Sequence, residues 1–303
     1  VIPTLNIIAW SGRAPWAEQR QVEQDLIISR AIVELFADEF LHTELRFRGG
    51  TALNKLHFPA PMRYSEDIDL VRTTHGPIKP VLSRVRDILQ PWLGEAAFDQ
   101  SAVAPKLTFR VPAEDGTAPL RLKIEINTRE TEACDSPQSI PYAIENPWFA
   151  GHAQVATFSR EEVLATKLRA LMQRNKGRDL FDLSHALAVF DGLDAARVIA
   201  HFRHYLQRAE LNISRAEAER RMFEKLRNPR FLADMRPLLP PAAADALTDD
   251  AATRAFCDVF TRFVTRIPGE PWARTEEMCE RFGLVLDSSC EGKSGGRLIE
   301  NTG

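Results

Sequence analysis

Two carboxylates spaced i, i+2 stand in Tyr64-Ser65-Glu66-Asp67-Ile68-Asp69-Leu70-Val71, and a glycine pair precedes them in Arg48-Gly49-Gly50-Thr51-Ala52-Leu53-Asn54-Lys55. On a strand, alternate side chains share a face, so Ser65, Asp67 and Asp69 point one way while Ile68 and Leu70 point into a core. Neighbouring carboxylates disfavour joint ionisation unless a cation lies between them. Hard oxygen donors suit Mg²⁺, or Mn²⁺, with substrate phosphates completing the shell. A glycine turn at a helix start supplies backbone amides for phosphate. The combination is chemistry for a metal-bound nucleoside triphosphate. Alone, a Gly-Gly pair is usually a turn and an Asp-x-Asp a solvated strand end; in this order and spacing the parts reinforce one another.

A third acid stands in Leu120-Arg121-Leu122-Lys123-Ile124-Glu125-Ile126-Asn127, where alternation puts Arg121, Lys123, Glu125 and Asn127 on one face. If this strand lies beside the Asp67 strand, Glu125 joins Asp67 and Asp69 as a metal ligand and is placed to accept a nucleophile's proton. A fourth element runs from Lys167 to Leu183. Leu164, Leu168 and Leu171 mark its buried stripe, leaving Lys167 at the edge, where its ammonium can reach a phosphate. Gly177 is expected to end this helix and Asp179 to open the next near its positive end. Asp182 shares a face with Asp179 and fits a salt-bridged corner as well as a direct role.

These groups need a frame. Apolar spacing predicts one long amphipathic helix from Trp16 to about His42, a short strand over Leu45 to Arg48, and a helix capped by Thr51 through about His57. The carboxylate strand, a helix from about Pro77 to Leu93, and strands near Lys106 to Val111 and Leu120 to Asn127 follow. Helices alternating with strands, then consecutive strands, imply an α/β (α+β) fold with a small mixed sheet. After Phe158 the pattern is helical, opened by Ser159 as cap with Glu161 and Glu162 in the first turn. The expected division is a core with its N-terminal helix over 1–157, a helical domain over 158–287 that completes the site, and a flexible Gly/Ser-rich tail over 288–303.

Composition narrows the setting. With 303 residues, 44% of them hydrophobic, the chain can bury a large core, and its formal net charge of −3 gives no global signal for a polyanion. Cys134, Cys257, Cys279 and Cys290 form no C-x-x-C pair, which argues against a zinc site, a disulfide framework or a disulfide partner and for a reducing cytoplasm. The apolar opening Val1 to Trp10 is interrupted by Pro3 and too short for a bilayer, so it is expected to be an arm packed on the body, with no membrane partner. Charge does cluster locally. Between Arg197 and Arg236 ten Arg and Lys face five Asp and Glu, an excess of +5 that could serve a phosphate backbone. Arg220 and Arg221 there, with Arg174 and Lys176, are the candidates for RNA. His201 and His204 lack ligand partners at metal spacing.

The run Phe47-Arg48-Gly49-Gly50-Thr51-Ala52-Leu53-x-Lys55, then Arg63-x-Ser65-x-Asp67-Ile68-Asp69, then Lys167 and Arg178-Asp179-x-x-Asp182 resembles the AbiEii/AbiGii nucleotidyltransferase toxins, whose relatives include the mycobacterial MenT toxins. The match spans about Trp16 to Leu187. The resemblance implies a polymerase-β-like nucleotidyltransferase core with a helical C-terminal domain, and toxicity to the bacterium or to phage propagation unless a cognate antitoxin opposes it. It further implies transfer of nucleotides from an NTP to the 3′ acceptor end of tRNA with Mg²⁺, which blocks aminoacylation. Carried over by position, Asp67 and Asp69 correspond to metal ligands. Gly49, Gly50, Thr51 and Ser65 fall at the phosphate loop, Lys55 and Lys167 at the triphosphate, and Asp179 at the acid of the last motif, with Arg178 beside the nucleotide. Ser65 stands where some relatives are silenced by phosphorylation, so a kinase-like antitoxin is one form the partner could take. No motif is broken. Two other readings use the same residues: nucleotidyl transfer to a protein hydroxyl, and a non-catalytic module that holds nucleotide for regulation.

Overall fold

The strands announce themselves by alternation. Leu120, Leu122, Ile124 and Ile126 are buried while Arg121, Lys123, Glu125 and Asn127 between them are not, the pattern of a sheet with one face on a core. The computed structural model describes residues 1–285 apart from positions 102, 229, 230 and 232; Arg230, Cys290 and the segment 288–303 expected to be a flexible tail lie outside the described residues. Seven strands form one mixed sheet: β1 (Leu45–Arg48), β2 (Asp67–Arg72), β3 (Ala96–Asp99), β4 (Lys106–Val111), β5 (Leu120–Asn127), β6 (Gln138–Asn146) and β7 (Phe149–Thr157), in the spatial order β3-β4-β5-β2-β1-β7-β6. The pairs β2 with β5 and β1 with β7 are parallel; the others are antiparallel.

The inner face of the sheet carries Phe47, Ile68, Leu70, Phe109 and Ile124. They pack on α2 (Gln19–Ala37) through Leu26, Ile28 and Ile32, and on α5 (Lys79–Leu93) through Val81, Val85 and Leu89, after the short helices α1 (Thr4–Trp10), α3 (Glu39–Glu44) and α4 (Gly49–Ala52). Each such side chain contributes roughly 1.5–3 kcal/mol when fully buried. A second apolar cluster unites α6 (Arg160–Gln173), α7 (Gly177–Val189), α8 (Ala195–Arg208), α9 (Arg215–Leu226) and a helix over Asp249–Arg262, and takes in Leu53, Phe58 and Val71 from the sheet half of the chain. The opening arm is α1, held on the body by the buried Ile7 and Trp10.

Several expectations change in detail. The long helix is interrupted at Asp38, whose extended backbone ends α2 and whose carboxylate accepts from Leu41 N–H at 2.9 Å to start α3. Thr51 is not a cap, because the helix begins at Gly49; its hydroxyl sits 2.8 Å from Ser65 Oγ instead. The turn after Ala52 widens into a π-helical segment over Leu53–His57. Gly177 starts α7 rather than ending α6, which stops at Gln173. Ser159 caps α6 as expected, accepting from Glu162 N–H at 3.2 Å.

Candidate active site

The site starts where β1 runs into α4. Gly49 has φ +82°, and a Cβ there would lie 2.3 Å from Asp69 Oδ2; a Cβ on Gly50 would lie 2.3 Å from Arg63 Nη2 and 3.4 Å from Lys167 Nζ. Both glycines are therefore dictated by what crosses the turn, and at Gly49 by the backbone as well. Asn54 closes the loop from below: its amide donates to Gly50 O at 3.0 Å, and its oxygen accepts from Met62 N–H at 2.9 Å and Arg63 N–H at 3.1 Å. Thr51 donates to the carbonyl of Asp67, which ties the glycine turn to the carboxylate strand.

Parallel pairing places Asp69 opposite Glu125 and Asp67 opposite Lys123, so the three acids share one face at the sheet's centre. Lys123 Nζ stands 3.0 Å from Asp67 and 3.7 Å from Glu125, and Lys106 Nζ 3.6 Å from Glu125. Burial alone would lower the pKa of Lys123, but Asp67, Asp69 and Glu125 outweigh it and raise it. Asp69 has no hydrogen-bond or ion-pair partner among the described residues. Burial raises its pKa first, then the charge of Asp67, against the opposing pull of Arg48. As they stand, no three His, Cys, Asp or Glu side chains among the described residues close around one metal position. The donor set fits a hard divalent cation nonetheless: two strand carboxylates, one of them unpaired and disfavoured as an anion, with a third acid in register.

Across from the acids lies a cationic wall. A cavity of about 200 Å³ is lined by Gly49, Gly50, Asp69 and Glu125 on the sheet side and by Arg48, Lys167, Arg169 and Arg174 around it. Glu130 clamps two of these arginines, accepting from Arg48 and from Arg169 at 2.5 Å each. Burial raises the Glu130 pKa, but the two guanidiniums prevail and bring it down to about 2. Lys167 and Arg174 are held by Asp179, at 3.1 Å and 2.7 Å, and that acid is fully buried. Burial opposes its charge, yet Lys167 and Arg174 hold it well below the usual carboxylate range. Asp182, also fully buried, accepts from Arg63 Nε and Nη2 at 2.7 Å each and lies 2.7 Å from Lys167 Nζ. Paired cations thus face carboxylates across one glycine turn.

The sequence profile of the family described as "Nucleotidyl transferase AbiEii toxin, Type IV TA system" matches residues 30–262. The chain belongs to the AbiEii family. It is a nucleotidyltransferase toxin of a type IV toxin–antitoxin system, and that family membership implies an antitoxin partner. Among solved structures it is similar to MenT4, a nucleotidyltransferase toxin from Mycobacterium tuberculosis H37Rv, at 17% identity and a TM-score of 0.57 over 92% of this chain and 93% of that one. JHP933 from Helicobacter pylori aligns at 18% identity and a TM-score of 0.47 over 88% of this chain and 98% of the other. The MenT4 likeness shows the fold, that of a nucleotidyltransferase toxin. No curated protein matches the chain.

In this AbiEii chain not every expected site residue reaches the cavity. Lys55, in the wide π turn, points instead to α2, where its ammonium lies 2.9 Å from both oxygens of Asp25 and from Ser29 Oγ. It lines a larger cavity of about 500 Å³ with Trp10, Trp16 and Tyr142, and Thr51 and Ser65 line that cavity too rather than the carboxylate one. Arg178 and Lys176 do not line the carboxylate cavity. Arg220 pairs with Glu217 and Glu224, and Arg221 with Glu217 and the carbonyl of Met172. Arg215 is paired with Glu219, and Arg197 and Arg208 reach Asp135 and Glu132 in the segment between β5 and β6. Arg174 does line the cavity. Asp179 pairs with Lys167 and Arg174, and Asp182 with Arg63 and Lys167. Sequence reasoning passed over Arg48, Arg169 and Glu130; only Arg48, adjacent to Gly49, carried a signal.

No described helix is long and apolar enough to cross a membrane.

Proposed function

We propose that this toxin transfers nucleotides from an NTP to the 3′ acceptor end of tRNA in the cytoplasm, with Mg²⁺ or Mn²⁺ as cofactor, and so blocks aminoacylation and translation. In a bacterium under infection the same arrest would limit phage. The reading rests above all on one observation: Asp67, Asp69 and Glu125 share a sheet face, and Asp69 and Glu125 line a cavity walled by Arg48, Lys167, Arg169 and Arg174. In this reading residues 1–157 form the nucleotidyltransferase core, and 158–287 deliver Lys167, Arg169 and Arg174.

The amides of the Gly49-Gly50-Thr51 turn, with Ser65 beside them, orient the triphosphate, and the four cations neutralise it. A divalent ion held by Asp67 and Asp69, with Glu125, would supply Lewis-acid polarisation of the reacting phosphoryl. Glu125 takes the proton from the acceptor hydroxyl. The acceptor oxygen forms a bond to the α-phosphorus, the α–β bridging bond breaks, and pyrophosphate carries the electron pair away. Lys167, fixed by Asp179 and Asp182, and Arg174, fixed by Asp179, stabilise that leaving charge without reorganising.

Purified protein incubated with bacterial tRNA, Mg²⁺ and each labelled NTP, beside an Asp67→Ala control, tests the proposal. Label in tRNA that disappears with the variant is the expected result and names the nucleotide. Label in protein alone would replace tRNA by a protein hydroxyl as acceptor. Label in neither fraction would overturn the transferase reading of the acceptor.

A further inference from the structure

The face that carries the acids continues outward over β5 and β4, and its chemistry changes along the way. Register pairs Lys106 with Glu125, Thr108 with Lys123, and Arg110 with Arg121, so all six side chains leave the same face as Asp67 and Asp69. The two lysines next to the acids are engaged by them. The two arginines are not. Arg110 and Arg121 are exposed, stand directly opposite one another on adjacent strands, and have no guanidinium partner among the described residues. Like charges in that relation repel and destabilise the pairing. They frame a hollow of about 490 Å³ whose remaining lining is Ala97, Thr108 and Pro119, small groups that leave room for a chain to lie against the sheet.

Of the nearby acids, Asp115 is taken by Arg20 and Thr117, Asp99 stands at the Lys106 end, opposite that residue, and the exposed Glu95, one residue before β3, continues the register toward Arg110 without forming an ion pair with it among the described residues. Arg121 precedes Glu125 by four residues, about 13 Å of strand. The unpaired arginines thus stand on the same face as the acids, with the acid-bound Lys123 and Lys106 between, and apart from the four cations of the triphosphate cavity.

Resting on the proposed transfer to an RNA acceptor, we infer that the open face of β4 and β5, through Arg110 and Arg121, binds the phosphate backbone of the acceptor strand and leads its 3′ end to Glu125. The occupant is a polynucleotide because the face carries unpaired positive charge, is extended and ends at the acids where an acceptor hydroxyl must arrive. It is the phosphates that are read; the bases face outward, which makes the contact sequence-independent.

The test measures tRNA binding by the full chain as a function of salt, alongside steady-state labelling with varied tRNA. Removing two phosphate contacts in the double variant Arg110→Ala/Arg121→Ala should reduce the slope of log K against log salt by about 1.4, given roughly 0.7 per contact on a single strand. KM for tRNA should rise about tenfold or more while NTP binding persists. Arg110→Lys/Arg121→Lys should keep the wild-type slope, which separates lost charge from lost fold. An unchanged slope and KM in the alanine variant overturn the inference even if wild-type protein labels tRNA. If wild-type protein binds tRNA with the expected loss of slope in the variant but transfers nothing, the inference stands and the proposed reaction falls. If wild-type protein neither binds nor labels tRNA, both fall.

Discussion

Asp69 is pressed between Gly49 and two other acids, and no described residue relieves its charge by a hydrogen bond or ion pair. Its folded pKa lies above the unfolded value, so the metal-free native state keeps a proton that the unfolded chain has already released. The contribution of this group to stability is thus present at low pH and declines as pH rises through its raised pKa. A divalent cation competes with that proton. Thermal melts across the acidic range with and without Mg²⁺ should show metal stabilisation growing as pH rises through that window, and Asp69→Asn should remove the growth. Gly50 offers a steric counterpart. Its added Cβ would strike Arg63 Nη2, which Asp182 pins in place, so Gly50→Ala should cost about 1–3 kcal/mol in chemical denaturation and abolish transfer.

At the scale of elements, the register of β2 against β5 converts sequence into a site. Alternation in Leu120 to Asn127 already placed Glu125 on an outer face, and only pairing decides that this face meets Asp69. Glu125→Gln keeps the backbone ladder and the side-chain volume, so NTP affinity should persist while kcat falls by about 10²–10⁴-fold, as loss of a general base requires. Local pattern showed less where geometry departs from the common periods. Lys55 reads as a phosphate contact on a regular helix, but it lies in the wider turn of Leu53–His57 and meets Asp25 on α2. Lys55→Met should therefore lower stability by about 1–3 kcal/mol, because Asp25 loses its cation and keeps only the indole N–H donors of Trp10 and Trp16, with KM for NTP nearly unchanged. Strand β6 carries Pro141 and mostly exposed alternate positions, so no apolar run marked it. Arg169 and Glu130 come from distant segments and meet only in three dimensions.

For the whole molecule, the question is what couples the sheet to the helices. Two apolar clusters underlie the sheet and the helices, the second drawing Leu53, Phe58 and Val71 from the sheet half, and an ionic chain also links the two halves: Arg63 from the loop before β2, Asp182 from α7, Lys167 from α6, Asp179, then Arg174. Such a chain is a poor source of stability, because desolvating its charges offsets most of their attraction, but breaking it strands a charge. It also carries direction: Arg63 lies beneath Gly50 and Lys167 lines the cavity, so the same contacts that join the clusters set the cationic wall over the phosphate turn. These roles separate by experiment. Asp182→Ala should lose about 3–5 kcal/mol in urea unfolding, whereas Arg63→Met/Asp182→Leu, which removes both buried charges and keeps volume, should recover most of that loss. Activity should not return with stability, since the double variant still lacks the guanidinium that fixes the turn and one of the two carboxylates that aim Lys167. Recovery of transfer along with stability would reduce the Arg63–Asp182 pair to a packing element and leave Asp179 alone as the residue that positions Lys167.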